Sequence, residues 1–324
     1  MRVVRCEVYG PPSELVVRDV PDPTAGPGEV VVRIEAAAVN FPDTLFIQNR
    51  YQVSLPVPFT PGSEFAGTVL SVASGVTSVR PGDRVMGTAM TGAYAEQIAV
   101  PASAVLPIPD GLTEREAAAF QVTFRTAYHA LRTIGELRPG RWVVVLGAAG
   151  GVGTAAVDVA VRLGARVIAA DRGSARLAGC LKLGAEAAID CDVEDLKVRI
   201  KEITGGGADL VIDPVGGAVS EQALRSTAWG GRFVVVGFAA GEIPRIPLNL
   251  VLLKGVIIRG FEIRTLPDFL PEAYAAGERE LQRLVSAGLR PLVAEAFPLD
   301  RTADAMNAVL QRKITGKVVL DTTR

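Results

Sequence analysis

The stretch Val143–Gly153, VVVLGAAGGVG, constrains this chain more than any other. A β-branched run that favours a buried strand meets four glycines and two alanines, and a helical pattern, TAAVDVAVRLGA, follows at once. A strand turning straight into a helix, through residues small enough for two backbones to close on each other, belongs to a parallel sheet covered by helices. The runs WVVVLG, RVIAAD, EAAID, ADLVIDPVG, GRFVVVGF and GVIIRGF supply six strands separated by helical segments. They predict a doubly wound parallel sheet over residues 122–263, with one of its helices running up to Trp229.

The chain reads differently on either side of that sheet. Before it, short β-rich pieces such as EVVVRIEAAAV, EFAGTVLSV and AYAEQIAV alternate with the turn signals GPGE, RPGD and IPDG. This predicts a compact, mostly antiparallel β domain. From Arg264 the tail carries one long helical pattern, LPEAYAAGERELQRLVSAG, and a last strand, GKVVL.

At 324 residues the chain has room for two such domains, and 49% hydrophobic residues suffice for their cores. Its 34 basic and 35 acidic residues are spread along the chain without a basic stripe. That speaks against a nucleic-acid or anionic-membrane partner. No run reaches the ~18 apolar residues of a membrane span, and MRVVRCEVYGPP lacks the apolar core of a signal peptide. Cys6, Cys180 and Cys191 are odd in number and widely spaced, the pattern of a reduced chain, so a cytoplasmic location is expected.

The glycine corner has two readings. It is an ordinary tight turn, or it is the place where the backbone N–H groups and positive end of a helix hold a dinucleotide pyrophosphate. The Gly-x-Gly-x-x-Gly register falls on Ala148-Ala149-Gly150-Gly151-Val152-Gly153, with alanine in the first slot. Asp171 follows Gly150 by 21 positions, at the end of the next strand. An acid there holds the ribose hydroxyls of NAD. Arg172 and Arg176 stand where guanidinium groups would instead clamp the 2′-phosphate of NADP, with Asp171 turned aside. These signals conflict, and the arginines also read as solvated charges at a helix start.

Metal and hydrolytic chemistry find little support. A zinc site needs three or four converging N, S or O ligands. The chain has one histidine, His129 in TAYHAL, which reads as a packed helix residue, and no Cys-x-x-Cys. A Ser-His-Asp or Cys-His arrangement is poorly supported for the same reason.

Taken in order, AAAVNFPDTLFIQNRYQ, PFTPGSEFAGTVLSVASGVTSVRPGDRVMG, GAYAEQIAVPA, VTFRTAYHAL, GAAGGVGTAAVDVA, DPVGG, GGRFVVVGFAAG and ITGKVVL resemble the zinc-free, zeta-crystallin-like quinone oxidoreductases over essentially the full chain. These belong to the medium-chain dehydrogenase/reductase superfamily. Zinc-dependent relatives carry a cysteine near the position of Asn40 and Gly-His-Glu where this chain has Gly62-Ser63-Glu64.

The resemblance implies an α/β fold: a GroES-like β domain from residues 1–121 and 264–324, with a Rossmann-type domain, 122–263, inserted between them. It implies an NADPH-linked, metal-free reduction of a small-molecule quinone or conjugated carbonyl, with NADH left possible by Asp171. Asn40 and Thr126 would line the nicotinamide end. Ala149, Gly150, Gly151, Val152 and Gly153 would hold the pyrophosphate, and Cys191 would flank the adenosine. Val215, Gly237 and Phe238 would approach the nicotinamide, and Lys317 would lie near the cofactor. Tyr51 matches a tyrosine that either donates a hydrogen bond to the acceptor carbonyl or packs the wall for shape. With Asn40 it forms the catalytic pair.

Phe124-Arg125 and Cys191 depart from the family's usual pattern, and Arg125 offers an anion contact for a large substrate. Two other activities stay open: an enoyl-thioester or enone reductase, and a catalytically silent, crystallin-like nucleotide-binding protein. A homodimer joined through the strand VIIRGF is expected, because an open parallel sheet leaves an edge there.

Overall fold

The computed structural model describes residues 1–323. The chain forms two compact units, one from residues 1–122 together with the stretch from Arg290 onward, the other from Thr123–Leu289.

The first unit is built on strands. β1 (Arg2–Arg5) pairs antiparallel with β2 (Val16–Asp19). A larger sheet is centred on β3 (Glu29–Val39), in which every apolar residue is buried while Arg33 points out to solvent. β4 (Glu64–Val72), β5 (Arg84–Thr88), β6 (Gln97–Pro101) and β7 (Val105–Pro107) join it by antiparallel pairing. Two short helices, α1 (Phe41–Phe46) and α2 (Glu114–Ala118), interrupt the strands. α2 starts with a capping box between Thr113 and Glu116, which satisfies N–H groups that a helix start leaves without partners.

Helix α3 (Gln121–Tyr128) runs into a π-helical turn, His129–Ile134. Then come β8 (Trp142–Leu146), α4 (Gly151–Arg162), β9 (Arg166–Asp171), α5 (Ser174–Lys182), β10 (Ala187–Asp190), α6 (Leu196–Thr204), β11 (Ala208–Asp213), α7 (Ala218–Arg225), β12 (Thr227–Val235), α8 (Leu248–Lys254) and β13 (Ile257–Gly260). The six strands pair in parallel in the order β10-β9-β8-β11-β12-β13. This is the Rossmann-type order, reversing direction between β8 and β11. β8 is buried at every position, as a central strand covered on both faces must be. The expected helix ends sooner than the sequence pattern indicates: α7 stops at Arg225, and Trp229 lies in β12.

The C-terminal boundary also differs from the expected one at 264. The short α9 (Leu266–Phe269) and long α10 (Pro271–Ser286) stay with the second unit up to Leu289. α10 lies on the π-helical turn so closely that a Cβ at Gly277 would come within 2.6 Å of His129 Cε1. His129 stacks on Tyr274 with ring centroids 5.2 Å apart. Arg162 Nη1 and Nη2 donate to the Ala287 and Gly288 carbonyls, 3.1 Å each, at the end of α10. The tail then adds β14 (Val293–Pro298), α11 (Thr302–Leu310) and β15 (Lys317–Asp321) to the first unit. β15 pairs antiparallel with β3 and brings Lys317 beside the end of that strand.

Candidate active site

In the first unit the site begins where β3 ends. Asn40 caps the start of α1, and its backbone N–H donates to Asp43 Oδ2 at 2.8 Å. The Asn40 side chain faces a different set. Its Nδ2 donates to Glu64 Oε2 at 3.1 Å and to Ser63 Oγ at 3.4 Å, while its Oδ1 accepts from Lys317 Nζ at 2.5 Å. Lys317 also donates to the Val39 carbonyl and lies 3.7 Å from Glu64. Glu64 Oε1 in turn accepts the Val122 N–H at 2.8 Å. The expectation that Lys317 lies near the cofactor thus meets a lysine buried among protein groups. Burial pulls its ammonium below the ordinary lysine range, opposed by the carboxylates of Glu64 and Asp43.

Asp43 is the second anion of this cluster. Besides the Asn40 N–H, it accepts from Ser63 Oγ at 2.8 Å and from Tyr94 Oη at 2.9 Å. Burial raises its carboxyl to about 6, with the three hydrogen bonds and Lys317 pulling the other way. Tyr94 is fully buried. Gly62 has φ +96°, and a Cβ there would come within 2.3 Å of the Tyr94 ring, so only glycine lets Ser63 and Glu64 sit against this tyrosine. Of these six side chains Ser63 alone keeps exposure. Tyr51 is half-buried and tilts its ring against Phe46 at the far end of α1, with centroids 4.4 Å apart.

In the second unit the glycine corner forms the turn between β8 and α4. A Cβ at Gly153 would lie 2.1 Å from the Gly147 carbonyl oxygen, so the helix can start this close to the strand only with glycine there. Gly150 occupies the N-cap without a side-chain cap, and the first-turn N–H groups of Gly151, Val152 and Gly153 have no acceptor within the helix. They remain available to an anion.

Asp171 at the end of β9 is turned back onto this corner. Its Oδ2 accepts the Ala149 N–H at 2.9 Å, and its Oδ1 accepts the Arg172 N–H at 2.7 Å and Arg176 Nη1 at 3.1 Å. Arg176 and Asp171 are nearly buried together, whereas the Arg172 side chain is exposed, 3.6 Å from Asp192. Cys191 is half-buried beside this group, its N–H bonded to the Asp171 carbonyl. Burial and three neighbouring aspartates raise its thiol to about 11, which leaves it protonated and unreactive.

Two further loops meet at the same sheet end. Asp213 is buried and accepts the N–H groups of Val215 and Gly216 and the Ser220 hydroxyl. Val215 lies against the Gly147 turn, where an added Cβ would come 2.7 Å from its Cγ2. The Gly237 N–H donates to the Asp213 carbonyl, and Phe238 follows half-buried. Thr126 is buried in α3.

Arg125, expected as an anion contact, is engaged within its own unit. Its guanidinium makes a forked pair with Glu278 of α10, with Nη2 to Oε2 at 2.7 Å, and lies 5.9 Å above the Tyr274 ring. A carboxylate already fills the role offered to a substrate. Asp43 and Tyr94 escaped the sequence reading, and Ser63 entered it only as the residue standing where zinc-dependent relatives have a histidine, since nothing in their spacing ties positions 43, 63 and 94 together. Among the described residues no three His, Cys, Asp or Glu side chains are grouped to hold a metal ion.

Residues 26–110 match the family described as alcohol dehydrogenase GroES-like domain, and residues 151–278 match zinc-binding dehydrogenase. The quinone oxidoreductase-like protein 2 homolog of Nematostella vectensis is 38% identical over 99% of this chain and 89% of its own length. The quinone oxidoreductase of Thermus thermophilus, solved also in complex with NADPH, is 37% identical. It aligns with a TM-score of 0.86 over 99% of this chain and all of its own. Escherichia coli quinone oxidoreductase complexed with NADPH aligns with a TM-score of 0.92 at 28% identity, over the same shares.

Proposed function

The chain belongs to the medium-chain dehydrogenase/reductase superfamily, among its quinone oxidoreductase-like members, and from that membership we propose that it is a zinc-independent NADPH-dependent reductase of quinones or conjugated carbonyls. One observation carries the metal-free part. The positive charge opposite Glu64 and Asn40 is the chain's own Lys317 ammonium, 2.5 Å from Asn40 Oδ1. A cation supplied by a side chain leaves no need for one supplied by a metal.

The corner residues fit a dinucleotide. Gly151, Val152 and Gly153 offer unshared backbone N–H groups at a helix start where only glycine at 153 permits the close turn. NADPH, when bound, supplies the hydride. Ala149 to Gly153 would hold its pyrophosphate, Val215, Gly237 and Phe238 its nicotinamide side, and Cys191 would pack by the adenosine. Thr126 would line the nicotinamide. The choice of NADPH over NADH rests on Asp171. Its carboxylate is occupied by the Ala149 and Arg172 N–H groups and by Arg176, so it is not presented to a ribose hydroxyl. Arg172 remains exposed to meet a 2′-phosphate.

Asn40 keeps its amide fixed between Lys317 and Glu64, and Tyr51 would donate a hydrogen bond to the acceptor oxygen as charge develops there. The protein acts as a homodimer in this reading, with β13 at an edge of its sheet. A cytoplasmic location, expected from the three widely spaced cysteines, goes with this reading. Consumption of NADPH with a quinone or conjugated-carbonyl acceptor, undiminished by a chelator, tests the proposal.

A further inference from the structure

Hydride transfer to a carbonyl compound leaves negative charge on oxygen, and a proton must follow. Around Asn40 the first unit holds a buried acid with one way out. Asp43 is enclosed by α1, the Pro61–Ser63 stretch and Tyr94. Its Oδ2 is committed to the Asn40 N–H and the Tyr94 hydroxyl. Its Oδ1 is bonded at 2.8 Å to Ser63 Oγ, on the only part-exposed residue of the cluster.

We propose that Asp43 and Ser63 form the proton relay of the reductase, with Ser63 the catalytic group that protonates the acceptor oxygen and Asp43 the residue that resupplies it. The inference rests on the reductase reading above. With Asp43 ionised, the Ser63 hydroxyl donates inward, as the structure has it. With Asp43 protonated, the hydrogen bond reverses and the Ser63 hydroxyl is free to point outward. The cofactor, when bound, would supply hydride to the acceptor carbon, leaving the charge on the acceptor oxygen. The Ser63 O–H bond then breaks toward the acceptor oxygen while the Asp43 proton crosses to Ser63 Oγ, leaving Asp43 as a carboxylate. After product leaves, water returns the proton by the same path reversed.

The groups bearing on Asp43 set its working range. Burial disfavours its ionised form, while Asn40, Ser63, Tyr94 and the Lys317 charge favour it; Glu64 bears on it through Lys317. The balance at about 6 keeps a protonated fraction near neutral pH, as a general acid requires. An ordinary surface aspartate, ionised down to about 4, would hold almost none.

Infrared titration of the protein without substrate reads Asp43 directly. The expected result is a protonated-carboxyl band with a midpoint at about 6 that Asp43→Asn removes and Ser63→Ala displaces. Kinetics supply the second arm. With a conjugated carbonyl as acceptor, wild-type kcat should fall as pH rises through the same midpoint. Ser63→Ala should abolish that limb and lower kcat by about 10²-fold or more, with NADPH affinity by fluorescence unchanged, and Ser63→Thr should restore most of it. Full carbonyl turnover with the limb intact in Ser63→Ala, or a band midpoint near 4, overturns the relay while leaving the reductase standing. If wild type turns over neither a quinone nor a conjugated carbonyl, the reductase reading itself has failed and the relay falls with it.

Discussion

At the scale of single residues, the glycine corner was legible because its meaning lies in composition: few roles other than close backbone packing explain four glycines between a strand and a helix. Asp171 was legible as a position but not as a conformation. Its spacing fits a ribose-binding acid, yet its carboxylate is turned onto the Ala149 N–H, a choice made by hydrogen bonds that no spacing encodes. The two arginines also differ in a way the sequence hides, since Arg176 is nearly buried on Asp171 and Arg172 is exposed. Replacing both with alanine should raise the KM for NADPH about tenfold, ~1.4 kcal/mol, and leave the KM for NADH nearly unchanged. Asp171→Ala should weaken both cofactors alike, because it removes the carboxylate that anchors the Ala149 N–H and with it the shape of the corner. Steady-state kinetics with each cofactor measure both effects. An NADH preference in wild type that Asp171→Ala removes would make the acid the reader of the ribose.

Among the elements, the parallel strands were the easiest to read, since each is a continuous apolar run bounded by turn residues. All six appear in the structure. The placement of α10 was not readable. Its amphipathic pattern announces a helix but not the surface it covers, and that surface is decided by Gly277, His129, Tyr274 and the Arg125–Glu278 pair. Gly277→Ala tests this packing with two opposed effects. Alanine gains about 1 kcal/mol of helix propensity over glycine. Its Cβ, however, would meet His129 Cε1 at 2.6 Å and Tyr128 Cε1 at 2.9 Å, and overpacking of this kind costs about 1–3 kcal/mol. The substitution should therefore destabilise, lowering the denaturation midpoint. A stabilised variant would mean that α10 does not lie against the π-helical turn.

For the whole molecule, the division into a strand-rich unit and an inserted doubly wound unit follows from the change in pattern near residue 120 and the return of β pattern in the tail. The cluster of Asn40, Asp43, Ser63, Glu64, Tyr94 and Lys317 was not legible, because the fold alone gathers positions so far apart in the chain. Self-association belongs to this scale as well. β13 is one of the two edges of its sheet, Ile257 and Ile258 on it are exposed, and α8 leading into it exposes Leu252 at 82%. Trp229, 81% exposed, lies against Gly255 between them. Apolar surface of this kind beside an unpaired edge is what the proposed dimer would cover. Light scattering should find a dimer in wild type and a monomer after Leu252→Asp with Ile258→Lys. A wild-type monomer at every concentration would contradict it.

In the function proposed above, this chain reduces small molecules with NADPH and without a metal. The most direct measurement is NADPH oxidation by the chelator-treated protein across a panel of quinones and conjugated carbonyls, with NADH run in parallel. Turnover should be sustained with NADPH, slower with NADH, and unchanged when zinc is added back. Tight NADPH binding with no turnover of any acceptor, or activity that returns only with zinc, would contradict that function.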